Sequence, residues 1–116
     1  MRCINYKKYS SPYYYYPYGR SITMTGTVSP DHSTLSSGSR GYVTTYIYKK
    51  MYNSKTRKYY SSLVKKGTAP LSASGAASTW KYSYKGGRGT YKLKAYFPGD
   101  ANHLSAWAKT RYAKVY

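Results

Sequence analysis

Strict alternation of apolar and polar side chains is the feature that most constrains the fold of this chain. Residues 90–97, TYKLKAYF, place Tyr91, Leu93 and two further apolar side chains on one face and lysines on the other. Residues 79–84, TWKYSY, alternate in the same way from Trp80. Successive side chains of a β-strand point to opposite faces, so both segments are predicted to be half-buried strands. No window of useful length repeats apolar residues at intervals of three and four, which disfavours helix.

The same alternation predicts further strands at residues 22–28, 42–52, 57–64 and 104–115. Polar loops are expected at 29–41 and 65–77, with short turns at the remaining junctions. In the last strand, an alternation that places Thr110 inside puts Val115 on the opposite side, so a β-bulge is expected near Ala113. Six or seven short strands separated by turns predict an all-β fold, a β-sandwich.

Residues 1–20 differ from the rest, because they hold seven of the nineteen tyrosines and two of the five prolines. Pro12 and Pro17 bracket four consecutive tyrosines, and proline favours extended backbone, so an extended arm is expected. The arm either lies on its own domain as an edge strand or adds a strand to a neighbouring subunit. The candidate assembly residues of this arm are Tyr6, Tyr9, Tyr13, Tyr14, Tyr15, Tyr16 and Tyr18.

The charge balance excludes several kinds of chemistry. Twenty Lys and Arg against two acidic residues, Asp31 and Asp100, give a formal net charge of +18. Paired-carboxylate catalysis and hard-metal sites need several acidic side chains, so neither is expected. His32 and His103 are interpreted as loop residues, because a structural zinc site needs four N or S ligands. We therefore predict no catalytic residue, no metal and no cofactor, and no enzymatic activity.

The single cysteine, Cys3, cannot form an internal disulfide. We interpret it as a free thiol, with an intermolecular link or a lipid attachment as the alternatives. No stretch approaches the roughly twenty apolar residues of a membrane span, so no membrane span is expected. Residues 1–20 also lack the apolar centre of a secretory signal.

Lysine and tyrosine are expected to dominate one exterior face. If Val43 and Ile47 face inward, the tyrosines of strand 42–52 face outward, next to the outward lysines of strand 90–97. Lysine and arginine bind sulfate, phosphate and carboxylate, and tyrosine offers a flat ring with a polar tip to sugars, bases or proteins. A merely solvated surface is the alternative. The candidate residues for binding an anionic polymer are Lys49, Lys50, Lys55, Arg57, Lys58, Lys65, Lys66, Lys92, Lys94, Tyr46, Tyr48 and Tyr96.

Residues 89–105, GTYKLKAYFPGDANHLS, resemble the C-terminal half of bacterial immunoglobulin-like repeats, which have a Gly-x-Tyr strand followed by an aromatic-x-Gly-Asp-Ala turn. Residues 22–30, ITMTGTVSP, are similar to the opening strand of those repeats, and the likeness covers 21–116 and leaves 1–20 as the arm. It implies an immunoglobulin-like β-sandwich of about seven strands. A tyrosine corner is expected, in which the Tyr91 hydroxyl bonds backbone of the adjoining loop. The structural residues are Trp80, Gly89, Tyr91, Leu93, Gly99 and Asp100.

The resemblance implies a non-catalytic structural or adhesive module, located outside the cell or at its surface. Together with the arm and the charge, it predicts a subunit of a fibre or surface assembly that self-associates through the arm. Such a subunit would bind an anionic polysaccharide or another polyanion. Two alternatives remain open at this point: a nucleic-acid-binding protein that uses basic and aromatic surface, and a decoration domain of a phage particle.

Overall fold

The computed structural model describes residues 1–28, 41–74, 77–98 and 106–116. These residues form eleven β-strands, joined by turns and loops, and no helix. The two sheets pack face to face, so the prediction of an all-β sandwich is confirmed, whereas the expected number of about seven strands is too low. The strands are β1 Arg2–Ile4, β2 Lys8–Ser10, β3 Tyr13–Tyr16, β4 Ile22–Val28, β5 Tyr42–Asn53, β6 Lys58–Pro70, β7 Ser72–Ser74, β8 Ala77–Tyr84, β9 Gly89–Phe97, β10 Ala106–Trp107 and β11 Arg111–Val115.

The strands divide into a small and a large sheet. The small sheet has the order β1-β4-β8-β7. The large sheet has the order β2-β3-β11-β9-β5-β6, and β10 also pairs with β9. All pairings are antiparallel except the one between β3 and β11, which is parallel. Strands β9 and β5, where many of the predicted tyrosines and lysines lie, are therefore neighbouring interior strands of the large sheet.

Three of the additional strands come from residues 1–20. Strand β1 pairs with β4 in the small sheet, whereas β2 and β3 form a hairpin that joins the large sheet through β11. Tyr16 is completely buried, and its hydroxyl donates to the Ile4 carbonyl oxygen at 2.7 Å. Cys3 is a free thiol buried between the sheets. The N-terminal segment thus lies on both sheets of its own chain.

The predicted polar loop at 65–77 is wrong for 65–74 and 77, whereas residues 75 and 76 lie outside the described residues. Residues 65–70 continue β6 and pair with the first half of β5, and β7 follows at once. Gly67 lies below Tyr82 so closely that a Cβ would come within 2.8 Å of the phenol ring. Pro70, which lacks an amide proton, is tolerated because β6 is an edge strand of its sheet. The small, polar composition of this segment therefore reflects an edge position and a close contact.

The irregularity predicted in the last strand exists but lies earlier in the chain. Trp107 pairs with Tyr96, and Arg111 pairs with Leu93. The chain therefore advances four residues from Trp107 to Arg111, while its partner β9 spans only three residues from Tyr96 to Leu93. One extra residue therefore lies within 108–110, and it separates β10 from β11. Beyond it the alternation is regular, which buries both Ala113 and Val115. The expected bulge at Ala113 is thus wrong in position, although right in kind.

The core lies between the inner faces of the two sheets. The alternation of β9 is as predicted, with each residue from Tyr91 to Phe97 at odd positions buried. On the small sheet, Trp80 and Met24 are buried opposite them. Among the residues whose burial is described, the buried hydrophobic ones are Cys3, Tyr16, Ile22, Met24, Val43, Ile47, Ala69, Leu71, Trp80, Tyr91, Leu93, Ala95, Phe97, Ala113 and Val115.

Candidate functional site

The register between β5 and β9 brings tyrosines and lysines together on the outer face of the large sheet. Tyr46 pairs with Lys94, and Tyr48 pairs with Lys92. Cross-strand partners share a face of the sheet, and their inward neighbours such as Leu93 are buried, so both pairs point to the exterior. The outer residues of β5 and β9 are therefore interleaved, as the alternation predicts.

Neighbouring strands extend this surface across the whole sheet. We use the term Lys/Tyr face for the outward lysines and aromatic residues of strands β3, β5, β6, β9, β10 and β11, placed by their registers. Its members are Tyr13, Tyr15, Tyr42, Tyr46, Tyr48, Lys50, Tyr52, Tyr59, Lys66, Lys92, Lys94, Tyr96, Trp107, Tyr112 and Lys114.

Ammonium groups of the Lys/Tyr face lie over its aromatic rings. The Lys92 Nζ is 5.1 Å from the centroid of the Tyr48 ring, and the Lys66 Nζ is 5.4 Å from the Tyr46 centroid. A cation within about 6 Å of a ring centroid is attracted by the ring quadrupole. These contacts hold the long lysine side chains against the sheet, which lowers the conformational entropy that a bound anion would otherwise have to remove.

Trp107 belongs to the Lys/Tyr face, although its orientation could not be predicted from the sequence. Its ring centroid lies 4.6 Å from that of Tyr96 and 5.6 Å from that of Tyr46, and Lys94 lies over it at 5.9 Å. The side chain remains 59% exposed. A large apolar ring at a solvated, cationic position is a feature of contact surfaces. The extra residue within 108–110 obscured its orientation, because the alternation in the last strand could not be extended back to it.

Strands β3 and β11 contribute further residues to the Lys/Tyr face, which were not assigned to it from the sequence. Tyr112 pairs with Tyr13 in parallel register, and their rings are 6.1 Å apart at a steep angle. The Lys114 Nζ lies 4.3 Å from the Tyr13 centroid. Tyr13 and Tyr15 were predicted as assembly residues of the arm, whereas the structure places them beside the lysines. Of the remaining arm residues, Tyr14 and Tyr16 turn inward, and Tyr6, Tyr9 and Tyr18 are exposed.

The structure separates the predicted polyanion-binding residues into three groups. Seven of them share the Lys/Tyr face: Lys50, Lys66, Lys92, Lys94, Tyr46, Tyr48 and Tyr96. Lys49 and Lys65 alternate onto the opposite side of the sheet, where the Lys49 Nζ lies 5.8 Å from the Tyr91 ring.

The other three belong to the tip of the β5–β6 hairpin. Lys55 and Arg57 lie in the turn, in which the Asn53 side chain accepts hydrogen bonds from two backbone amides. Lys58 pairs with Asn53, five residues beyond Tyr48 and thus about 17 Å farther along the strand. This tip is a separate basic cluster, distant from the centre of the Lys/Tyr face.

No acidic side chain balances these cations within the described part of the chain. The sequence has two acids, Asp31 and Asp100, and both lie outside the described residues, together with His32, His103 and Gly99. The roles predicted for Gly99 and Asp100 therefore stay predictions. Nineteen of the twenty Lys and Arg residues are described. The potential at the Lys/Tyr face is consequently positive, and anions are attracted to it over a Debye length of about 8–10 Å.

The small sheet presents different chemistry on its outer face. There, Thr25 pairs with Lys81, and Thr23 pairs with Ser83 at 3.3 Å between their hydroxyl oxygens. The two exteriors thus differ: the outer face of the small sheet combines small hydroxyl residues with the cations Arg2 and Lys81, whereas lysines interleaved with aromatic rings cover the large sheet. This contrast provides internal controls, because Lys81 is exposed and lies on the opposite side of the sandwich.

Of the residues predicted to have a structural role, Tyr91 contacts the loop before β9 and Gly89 is the first residue of that strand. The Tyr91 hydroxyl donates to the Gly87 carbonyl oxygen at 2.5 Å, the arrangement of a tyrosine corner. Gly89 has a φ of 153° and lies against the Lys49 side chain. Burial raises the pKa of the Tyr91 hydroxyl, which keeps it protonated as a donor. Trp80 and Leu93 are buried in the core.

Nucleophilic chemistry is not favoured at the one thiol. Burial is the main reason why the pKa of Cys3 is raised to about 11, so the thiol is protonated at neutral pH. Within residues 1–28, 41–74, 77–98 and 106–116, no group of three or more His, Cys, Asp or Glu side chains could hold a metal ion. The same described segments contain no helix that could cross a membrane.

No protein-family model matches this chain, and comparison with curated proteins and with solved structures finds no match either. Function is therefore inferred from the residues of the Lys/Tyr face.

Proposed function

We propose that this protein is a non-catalytic structural or adhesive module that binds an anionic polymer through the Lys/Tyr face. The observation that carries the proposal is the interleaving of lysines with aromatic rings across the large sheet, as in the pair of Lys92 with Tyr48. A solubilising surface would need the charges alone. The aromatic rings add contact area at low entropic cost, and the Lys/Tyr face concentrates them beside the cations.

An acidic polysaccharide fits this surface better than a nucleic acid does. Single-stranded nucleic acids bind by stacking bases on aromatic faces. Here, lysine ammonium groups cover one face of the rings of Tyr13, Tyr46, Tyr48 and Tyr59. On those ring faces a ligand meets ammonium groups with phenol hydroxyls beside them, and these suit sulfate or carboxylate groups and sugar hydroxyls.

The assembly part of the proposal places the module outside the cell, in a fibre or surface layer. It is supported by the resemblance of residues 89–105 to immunoglobulin-like repeats. Self-association would use the N-terminal segment, whose strands β1 and β3 pair with β4 and β11 and could form the same pairings between two chains. Like charges oppose association of the free chains, so assembly should increase when a polyanion neutralises them.

The test of polymer binding compares two triple variants of equal charge. In the first, Lys66, Lys92 and Lys94 of the Lys/Tyr face are changed to Gln; in the second, Arg2, Lys81 and Lys85 are. Isothermal titration with heparin as the sulfated polysaccharide, and with a single-stranded DNA of matched length, is repeated over a series of salt concentrations. Far-UV circular dichroism checks that both variants are folded.

We expect heparin to bind more tightly than the DNA. The face variant should lose about tenfold or more in heparin affinity and about two to three units of salt dependence, since each lost ion contact removes roughly one. The control variant should stay within about threefold of the wild type. Equal losses in the two variants would refute a specific face, and tighter binding of the DNA would overturn the choice of ligand.

Assembly is measured separately, by sedimentation-velocity ultracentrifugation with and without heparin. Particles that contain several chains per polymer, and that persist when the polymer is too short to bridge two modules, support self-association. Strictly monomeric particles on such short chains would contradict the assembly part and leave the binding part standing.

A further inference from the structure

A groove of about 320 Å³ opens on the Lys/Tyr face where the β5–β6 hairpin extends beyond the end of β9. Thr90 and Lys92 of β9 contribute to its lining. Tyr13 and Tyr112 line it from the side of β3 and β11, and Lys50 and Tyr59 line it from the hairpin. The groove thus forms between five strands, β3, β5, β6, β9 and β11, of which only β5 and β6 are consecutive in the sequence.

We infer that this groove is a subsite for a single acidic sugar unit, sulfated or uronic, of the polymer bound by the Lys/Tyr face. The inference rests on the proposed function, and it adds a defined location and a ligand class to it. Binding then has two components: a diffuse attraction over the sheet, and a discrete contact in the groove.

Charge is the first reason for this assignment. Lys50 and Lys92 both line the groove, and no acidic side chain lies in the described part of the chain. The Lys50 Nζ is held 4.5 Å from the centroid of the Tyr59 ring, so its position is partly fixed before a ligand arrives. Two ammonium groups at one groove provide donors to a sulfate or a carboxylate without rearrangement of the sheet.

The hydroxyl groups are the second reason. Tyr13, Tyr59 and Tyr112 line the groove with phenol groups, and Ser61 and Thr90 add aliphatic hydroxyls. A hydroxyl both donates and accepts hydrogen bonds, which matches the hydroxyls of a sugar ring. A phosphate or sulfate alone would use only the donors. The combination of ammonium and hydroxyl groups therefore favours an acidic sugar over a free inorganic anion.

The ring geometry is the third reason, because it disfavours a nucleobase. Lys50 covers one face of Tyr59, and Lys114 covers one face of Tyr13, while Tyr112 meets Tyr13 at 68°. A base that stacked on the same ring face would have to displace the ammonium group, whereas a sulfate or carboxylate contacts that group where it lies. The groove volume lies at the lower end of the roughly 300–1,000 Å³ typical of ligand pockets, which is suitable for one sugar unit rather than a long segment.

The experiment uses a fully sulfated heparin disaccharide, and a neutral disaccharide as its uncharged counterpart. Binding to the full chain is followed by titration calorimetry and by chemical-shift changes of backbone amides. Lys50→Gln removes one ammonium group, and Tyr112→Phe removes one hydroxyl while keeping the ring. Lys81→Gln and Tyr6→Phe, outside the groove, are the matched controls.

The sulfated disaccharide should bind, with the largest shifts at Thr90 and Lys92, and the neutral one should bind at least about tenfold more weakly. Lys50→Gln should weaken binding about tenfold and Tyr112→Phe about fivefold, whereas the controls should change it less than twofold.

Each contrary result has its own meaning. If long heparin binds but the disaccharide binds no better than its neutral counterpart, or if both groove variants match the controls, the subsite is refuted while the proposed function stands. If neither long heparin nor the disaccharide binds, the proposed function fails and the subsite fails with it. If a short DNA oligonucleotide displaces the disaccharide from the groove and binds more tightly, the assigned ligand class is wrong.

Discussion

The contact between Gly26 and Trp80 allows a quantitative test of the core. The two residues are cross-strand partners in the small sheet, and Trp80 is 5% exposed. A Cβ at position 26 would lie 2.7 Å from the indole nitrogen and 2.8–2.9 Å from two ring carbons. Real Cβ atoms do not approach other heavy atoms so closely, and the buried ring is enclosed by the large sheet. Gly26→Ala therefore forces the ring or the strand to move.

The expected size and sign of the change in the free energy of unfolding follow from two opposing effects. Where space permits, a Gly→Ala change stabilises a protein by about 0.4–1 kcal/mol, because it restricts the unfolded chain. Overpacking a core costs about 1–3 kcal/mol. Gly26→Ala should thus lower the free energy of unfolding by roughly 1–2 kcal/mol net. Gly87→Ala is the control, because a Cβ there meets only the Lys49 Nζ, at 3.9 Å, and it should be neutral or stabilising.

Urea unfolding followed by far-UV circular dichroism measures these differences, and an unchanged m-value shows that the unfolding reaction is the same. Trp80→Phe, which leaves space in the core, destabilises the chain by itself. Combined with Gly26→Ala, it removes the overlap, so the double variant should lose less than the sum of the single losses. Additive losses, or a Gly26→Ala variant as stable as Gly87→Ala, would refute the packing of Trp80 on Gly26.

Three further predictions concern single side chains. Tyr91→Phe removes the bond to the loop before β9 and should cost about 1 kcal/mol in urea unfolding, whereas Tyr60→Phe, at a residue 50% exposed, should cost almost nothing. The pKa of Cys3 is raised from 9.0 to about 11, so its contribution to stability is complete below pH 9 and is lost as the pH rises towards 11. Cys3→Ala should therefore lose less stability than the wild type between pH 9 and 11, and an equal loss would contradict the burial of the thiol. Iodide should quench the emission of Trp107, which is 59% exposed among cations, far more than that of Trp80; Trp107→Phe should abolish most of this quenching, and its persistence would contradict the position of Trp107.

Alternation made the central part of the fold predictable from the sequence. The segments with period-two patterning between residues 22 and 97 coincide with strands, and the inward side of β9 follows from Tyr91 and Leu93 directly. The proximity of Tyr46 and Lys94 could also be predicted, since it requires only that two outward faces belong to neighbouring strands. These features depend only on the local alternation and on the pairing of β5 with β9.

What could not be predicted depends on contacts between distant parts of the chain. Nothing local in residues 1–20 indicates that β1 joins one sheet while β3 joins the other, or that β3 pairs in parallel with β11. The extra residue within 108–110 is similarly invisible, because two alternating segments with different phase look like one irregular strand. The groove was missed for the same reason, since its lining combines Tyr13, Tyr59 and Tyr112 from three separate segments.

The segment at 65–70 shows a different limit. Its Lys, Gly, Thr and Pro residues favour a loop by composition, yet it forms the edge of the large sheet. Edge strands tolerate Pro and are often rich in lysine, because these residues discourage pairing with another chain. The composition of this segment therefore indicates that it is exposed, but it does not indicate whether the segment pairs with β5.

Lysine footprinting measures most directly whether the large sheet binds the polymer. The protein is treated with a limiting amount of an amine-acetylating reagent, with and without heparin, and mass spectrometry gives the modification of each lysine. Protection should be largest at Lys66, Lys92 and Lys94 of the Lys/Tyr face, while Lys81 and Lys85 should react as in the free protein. Equal protection of all five lysines, or protection confined to Lys81 and Lys85, would contradict the account.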